Sequence, residues 1–451
     1  TLFRSVWTDD RIFGKPADEQ DARDMLHALS GITHHVSTGV CLLVSGEHGI
    51  FERSFVKTTD VTFRTLTDAE IDAYVATGEP LDKAGAYGIQ GGAAAFVERI
   101  DGEYDTVVGL PVTRVIRELE AASAPISRVP SSLSQFPGIL AAHDTDEEGA
   151  TGCTVVICPA GATGAVDVRG GAPATRETDL LRPEETVQVL HAVVLSGGSA
   201  FGLAASCGVA DELEQAGIGL DVGVTRVPIV SGACLFDLAV GDPHARPDHE
   251  SGTRATRAAL SQRDLPARQR TPLARGNVGA GTGCTVGKFA GPFRAMKSGL
   301  GEAIETSGNL MCGALVAVNA CGDVVDPTTG TPVAGVRSPD GNGIDDSARL
   351  LRSLGATMPL RANTTISCVV TNARLTKAEA TKVAHMAADA YAHALRPAHT
   401  TNDGDTVFVM ATGVIEAQVD VVGALATRAL ERAIVDGARQ ATSAYGLRGA
   451  D

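Results

Sequence analysis

Apolar positions recur along the chain with two periods, one near four residues and one of two, so helices and strands are expected to alternate. Met25, Leu26 and Leu29 lie on one face of a short helix predicted over 18–29. A strand is predicted from Val36 to Val44. A helix over 68–77 follows, opened by Thr67 with Glu70 three residues on, a spacing that lets each side chain satisfy the other's backbone amide. Residues 106–110 close this part as a predicted strand. Further along, strands are predicted at 153–158, 191–195, 312–319, 365–371 and 405–412, between helices at 200–215, 376–395 and 421–444. The helix at 376 has the same opening signal, Thr376 with Glu379, and stops before Pro397. Both parts therefore read as α/β.

Between them the pattern lapses. Residues 120–137 are rich in serine and proline and show no periodic apolar face, which reads as a linker between domains at 1–119 and 138–451. The 451 residues are 44% hydrophobic and 20% charged, enough to build real cores. The 51 glycines and 4% aromatics point to tight turns and small-residue packing.

A net charge of −16 with no basic cluster argues against nucleic acid and anionic membrane as partners. No run is long and apolar enough for a membrane helix, and a cytoplasmic location is expected. Nine dispersed cysteines without a CxxC pair read as reduced thiols. The eleven histidines form no HExxH, and His385 and His393 read as surface or packing residues, so no metal site is expected.

Two sets of motifs carry candidate chemistry. The first comprises Gly14-Lys15-Pro16, Thr33-His34-His35, Thr38-Gly39-Val40, the run from Gly78 through Lys83 and Gln90 to Gly91, and Val107-Val108-Gly109-Leu110-Pro111. Over residues 6–119 these runs resemble the Maf family of nucleoside triphosphate pyrophosphatases. The resemblance implies a partial Maf-like α/β domain with Lys15, Lys83 and Gln90 as nucleotide-binding positions, and a divalent metal such as Mg²⁺ in a complete module. Taken as residues alone, Lys15 and Lys83 read better as solvated surface lysines. The family's Ser-x-Ser-Pro-Arg-Arg opening has no counterpart, and Phe3 and Arg4 stand where its Asp-Thr pair belongs. Thr1-Leu2-Phe3-Arg4-Ser5 reads as translated sequencing adapter, under which the module is truncated and hydrolyses no nucleotide.

The second set comprises Val193 to Leu203, Gly276 to Lys288, Ala362-Asn363-Thr364-Thr365-Ile366 and Asn402-Asp403-Gly404-Asp405-Thr406-Val407-Phe408. Gly-Gly-Ser199-Ala-Phe-Gly202 is a near miss for a nucleophile elbow, with its last glycine one residue late, and Ser199 reads better as a helix N-cap. Gly283 to Lys288 is a near miss for a phosphate loop, one residue short, with Phe289 where a hydroxyl should bind metal. By themselves Thr364 reads as a β-branched residue opening a strand, and Asp403 with Asp405 as a solvated turn.

In order and over residues 137–451, these four segments resemble the P1 peptidase family, which includes the aminopeptidase/D-esterase/amidase DmpA and the nylon-oligomer hydrolase NylC. The resemblance implies a layered αββα sandwich and self-cleavage between Asn363 and Thr364. Thr364 then becomes an N-terminal nucleophile whose own amine takes the hydroxyl proton. By position, Lys288 matches an active-site lysine, Asn319 a donor to the oxyanion, and Asp403 and Asp405 an acidic pair that orients the nucleophile. It further implies no metal or organic cofactor for the hydrolase, a small peptide or amide substrate, and a homo-oligomer of cleaved protomers. The chain departs from the family at Ser231 and Phe236, and has no tyrosine between 105 and 390.

Three readings therefore stand side by side: a self-processing amidase, a nucleotide pyrophosphatase with an accessory C-terminal part, and an unprocessed non-catalytic scaffold.

Overall fold

The computed structural model describes residues 2–46, 49–123, 130–353 and 363–450. The chain divides into two compact units, Thr1–Pro125 and Ile126–Asp451.

In the first unit, strands β1 (Leu2–Thr8), β2 (Arg11–Phe13), β3 (Thr33–Gly46), β4 (Gly49–Phe63) and β5 (Val97–Asp101) form one sheet in the order β2-β1-β3-β4-β5. Helices α1 (Glu19–Leu29) and α2 (Asp68–Val75) contribute Met25, Leu26, Leu29 and Ile71 to its core. The predicted capping box at Thr67 and Glu70 is present. The segment read as adapter is part of the sheet: Leu2 to Trp7 pair with Val40 to His35, and Arg4 donates to the carbonyls of Val107 and Val108 at 2.9 and 3.0 Å.

The strand expected at 106–110 is not formed. Tyr104–Val108 is a short helix, α3, with Thr106 and Val107 buried, and Gly109 at φ +123° ends it. Val-Val-Gly-Leu is too short an apolar run for periodicity to separate helix from strand. A further helix, α4 (Val112–Ser123), follows.

The expected linker is structured at both ends. Helix α4 enters it, and on the far side Leu133 and Phe136 are fully buried in the core of the second unit. Residues 124–129 lie outside the described residues.

The second unit is built on strands β6 (Leu140–Asp146), β7 (Thr151–Val168), β8 (Thr175–Arg176), β9 (Leu190–Ser196), β10 (Val230–Cys234), β11 (Leu300–Ser307), β12 (Leu310–Ala317), β13 (Ile366–Ala373) and β14 (Thr406–Ile415). They run in the order β11-β12-β13-β14-β7-β9-β10-β8, with β6 also on β7. Strand β7 belongs to two faces. Its first half pairs with β6 and β9 and its second half with β14, and the register shifts between Ile157 and Ala162, where Gly161 has φ +77°.

Side-chain alternation then sorts the residues into layers. Ile366, Cys368, Val370, Phe408 and Met410 meet Val156, Val193 and Leu195 in a core between the two halves of the sheet. The opposite positions Val369, Val407 and Val409 pack on helices α7 (Lys377–Ala394) and α8 (Val419–Gln440). Val155, Ala192 and Val194 pack on helices α5 (Ala205–Gln215) and α6 (His249–Leu260). The result is the expected αββα sandwich.

Glycine makes the α5–α6 contact close. A Cβ on Gly208 would lie 1.9 Å from the carbonyl oxygen of His249, and one on Gly252 1.9 Å from that of Ala205.

Candidate active site

Strands β13 and β14 are parallel neighbours joined through α7, with Ile366 level with Thr406. A parallel pair needs a crossover of this kind. Followed back one residue at a time, that register sets Thr365 beside Asp405 and Thr364 beside Gly404. The Thr406 amide donates to the Thr365 carbonyl at 3.1 Å. A Cβ at position 404 would sit 2.8 Å from Thr364 Oγ1, so the middle residue of Asp403-Gly404-Asp405 has room only for hydrogen. Thr364 is 4% exposed, and its hydroxyl is directed onto the Asn363 carbonyl oxygen.

On one side of Thr364 stands Asn319, two residues beyond the end of β12 rather than within it. Its backbone oxygen accepts from the Thr364 amide at 3.0 Å and from Lys288 Nζ at 3.1 Å. Its side-chain oxygen accepts from Lys288 Nζ at 2.7 Å and from the Thr285 amide at 3.0 Å. Its Nδ2 donates to the carbonyl of Phe236 at 2.8 Å, which commits one of its two N–H bonds. Phe236 thus takes part through its backbone, not its ring.

On the other side is the acidic pair. Asp405 Oδ1 accepts from the Thr365 amide at 2.9 Å, and Oδ2 from the His399 amide at 3.0 Å. Asp403 Oδ2 accepts from the Thr400 amide at 2.7 Å, while its buried Oδ1 has no hydrogen-bond partner among the described residues. Burial pushes Asp403 up to about 6, with Asp405 adding to the rise. Burial also pushes Lys288 down to about 8, opposed by the nearby Cys321, Cys284, Asp403 and Asp237. Lys288, Asn319, Asn363, Thr364, Asp403 and Asp405 are therefore brought together as expected. Ala362 lies outside the described residues.

The loop that carries Lys288 is packed beneath other backbone. Cβ atoms on Gly281, Gly283 and Gly287 would fall within 2.3 Å of the Leu300 amide, the Ala150 carbonyl and the Gly335 backbone. The near-miss phosphate loop is thus filled, not open to a phosphate. Lys297, which the sequence reading passed over, braces it: fully buried, Nζ donates to the carbonyls of Gly281, Cys284 and Ser298.

Ser199 is not the N-cap it was expected to be. Gly198, at φ +78°, occupies the cap, and Ser199 begins a short helical turn at φ +55° with no side-chain capping bond. Asp237 does hold this corner, accepting from the Gly198 amide and Thr151 Oγ1, each at 2.7 Å.

In the first unit, the Gly85 amide donates to Gly14 O at 3.0 Å and so draws the two lysine segments together. Lys83 pairs with Asp82, and Lys15 lies close enough to help hold that carboxyl below its usual range. Gln90 is exposed. The cationic positions therefore face a carboxylate, and among the described residues no group of His, Cys, Asp and Glu is arranged to hold a metal ion. The residues present do not fit the divalent ion that a Maf-type reaction would call for, so no step is derived through it. Among the described residues no helix is long and apolar enough to cross a membrane. Cys153, Cys158, Cys207, Cys234, Cys284, Cys312, Cys321 and Cys368 are free thiols.

Comparison with known proteins agrees with both halves. The model described as Peptidase family S58 matches residues 131–451, and the one described as Maf-like protein matches residues 4–122. An uncharacterized aminopeptidase of Mycobacterium leprae is 40% identical over 348 residues, 70% of this chain and 92% of that protein. A dTTP/UTP pyrophosphatase of Bacillus cytotoxicus is 55% identical over 115 residues, 26% of this chain but only 58% of that protein. Among solved structures, the PH0078 protein of Pyrococcus horikoshii shares the fold at TM-score 0.50 and 17% identity, over 72% of this chain and 92% of that one. The chain therefore belongs to peptidase family S58 and is a peptide-bond hydrolase of that family, carrying a Maf-like domain at its N-terminal end.

Proposed function

We propose that the protein cleaves itself between Asn363 and Thr364 and then hydrolyses small peptides or linear amides with Thr364 as N-terminal nucleophile. The observation that carries this reading is the placement of Thr364. It is buried, its hydroxyl lies on the carbonyl of the residue before it, and it is flanked by Lys288 with Asn319 on one side and Asp403 with Asp405 on the other.

In maturation Thr364 Oγ attacks the Asn363 carbonyl carbon, the C–N bond breaks, and the hydroxyl proton goes to the departing nitrogen. Water then hydrolyses the resulting ester and leaves a free amine on Thr364. In turnover that amine takes the Oγ proton as Oγ attacks the substrate carbonyl. The leaving amine receives the proton, and water releases the acyl group from Thr364. The amine nitrogen and Lys288 Nζ share one acceptor, the Asn319 carbonyl oxygen. A cation so close favours the neutral amine, the form that acts as base. The uncommitted N–H of Asn319 Nδ2 is the donor for the developing oxyanion. These steps draw on the Thr364 amine, side chains and water. The name of the mycobacterial relative supports substrates with a free N-terminal amine.

The test is the intact mass of the purified protein. Fragments of residues 1–363 and 364–451 are expected, with Thr364 read first on sequencing the smaller; a single chain of full mass rejects the proposal.

The pH profile of kcat/KM is a second check. Asp403, raised to about 6, is a carboxylate only above that pH, so activity falls as pH drops through about 6. Lys288, lowered to about 8, is a cation only below that pH, so activity falls as pH rises through about 8. A bell centred near neutrality is expected. A profile flat from pH 5 to 9 would show that neither group is needed in the stated form.

A further inference from the structure

Behind the nucleophile lies a second arrangement that the chemistry above does not use. Tyr391, from α7, is fully buried. Its hydroxyl reaches the carbonyl oxygen of Thr365 at 3.2 Å, Ser367 Oγ at 2.9 Å and the carbonyl oxygen of Thr406 at 3.2 Å. Thr365 lies just before β13 and one residue after the nucleophile, Ser367 is the second residue of β13, and Thr406 opens β14 one residue after Asp405. The hydroxyl therefore joins the two parallel strands at the point where they deliver the reacting groups.

The ring of Tyr391 is stacked on His399, with centroids 5.6 Å apart and planes 27° from parallel. His399 in turn holds Asp405 through its amide, which donates to Oδ2 at 3.0 Å, while ring Nδ1 stands 3.0 Å from the same oxygen without hydrogen-bond geometry. Asp405 closes the circuit by accepting from the Thr365 amide. Among the described residues neither side chain is hydrogen-bonded to Thr364. His399 sits at φ +56°, a conformation that costs an L residue free energy and persists where surrounding contacts hold it.

We propose that Tyr391 and His399 are positioning residues that lock Asp405 and Thr365, and through them Thr364, in the geometry of attack. The inference rests on Thr364 being the nucleophile. It goes further by assigning a role to a tyrosine and a histidine that act only from behind it. Misplacement of a reacting group by a fraction of an ångström to an ångström lowers a rate by roughly ten- to a hundredfold.

The experiment compares the full-length parent with Tyr391→Phe and His399→Asn. It reads the half-time of self-cleavage by mass spectrometry, kcat and KM per cleaved chain on an aminoacyl p-nitroanilide, and the melting temperature. Tyr391→Phe keeps the ring and removes only the hydroxyl. His399→Asn keeps the backbone donor and removes the ring. Expected for each are slower self-cleavage and a kcat lower by about tenfold or more, with KM and melting temperature close to those of the parent. A parent-like kcat per cleaved chain in both variants overturns the proposal, as does a loss of folded protein in both, which would make the pair core packing. If the parent itself stays uncleaved and inactive, the nucleophile reading has failed. A cleaved, active parent beside unaffected variants removes only the present inference.

Discussion

Thr364→Ala yields one uncleaved chain and loses amide hydrolysis, by about 10⁴-fold or more, the scale seen when a nucleophile that works as part of a unit is removed. Two losses coincide. Alanine has no oxygen to attack the Asn363 carbonyl, so the amine that would serve as base is never freed. Nor is there a hydroxyl to form the acyl ester. The fold should be unaffected, because Thr364 precedes β13 and its amide bond to Asn319 does not need the side chain. Thr364→Ser is the matching control: it keeps the hydroxyl, so cleavage and measurable turnover are expected. Intact mass and initial rates on the three proteins decide the matter. Cleavage of the alanine variant would place the nucleophile elsewhere.

Phe408→Ala should cost about 3–5 kcal/mol of stability, the range for emptying a fully buried aromatic site. Phe408 is 0% exposed and belongs to the core between the two halves of the sheet. It stands level with Cys368 on β13 and Val166 on β7, so its neighbours belong to strands that cannot close the gap without leaving their registers. The measurement is best made in the uncleaved Thr364→Ala chain, where one polypeptide unfolds, by comparing urea midpoints at equal slope. A loss below about 1 kcal/mol would mean that the two halves do not pack on each other at this point.

What could be read from residues alone follows a physical line. The helix at 377–394 was legible because Thr376 and Glu379 form a local capping box ahead of a periodic face. The central strands were legible because their apolar runs are long and short-range in origin. Helix α6 was missed because its buried face is made of Ser251, Gly252, Thr253, Ala255, Thr256 and Ala259, small residues that pack closely yet carry no hydrophobic period. The segment at 106–110, read as a strand, overlaps helix Tyr104–Val108 because so short a run has too few positions to show its period. Ser199 was misread because the capping position depends on the φ of its glycine neighbour.

The site divides along the same line. Thr364, Lys288, Asp403 and Asp405 lie in the motif runs, and Asn319 is matched by position, all as the family resemblance implies. Tyr391, His399 and Lys297 have no such run. Their contacts fall outside any such run, as when Lys297 donates to carbonyls at 281 and 284 and Tyr391 reaches those of residues 365 and 406.

By itself, then, the sequence determined the α/β character, the two capping boxes and the two-part organisation, and only its resemblance to a family pointed to Thr364 as the proposed nucleophile. Tertiary structure alone decided that β7 serves both faces of the sandwich, that Gly404 lies against Thr364, and that Thr365 and Asp405 sit side by side. Those facts follow from strand register, which arises only when residues far apart in the chain are buried against one another.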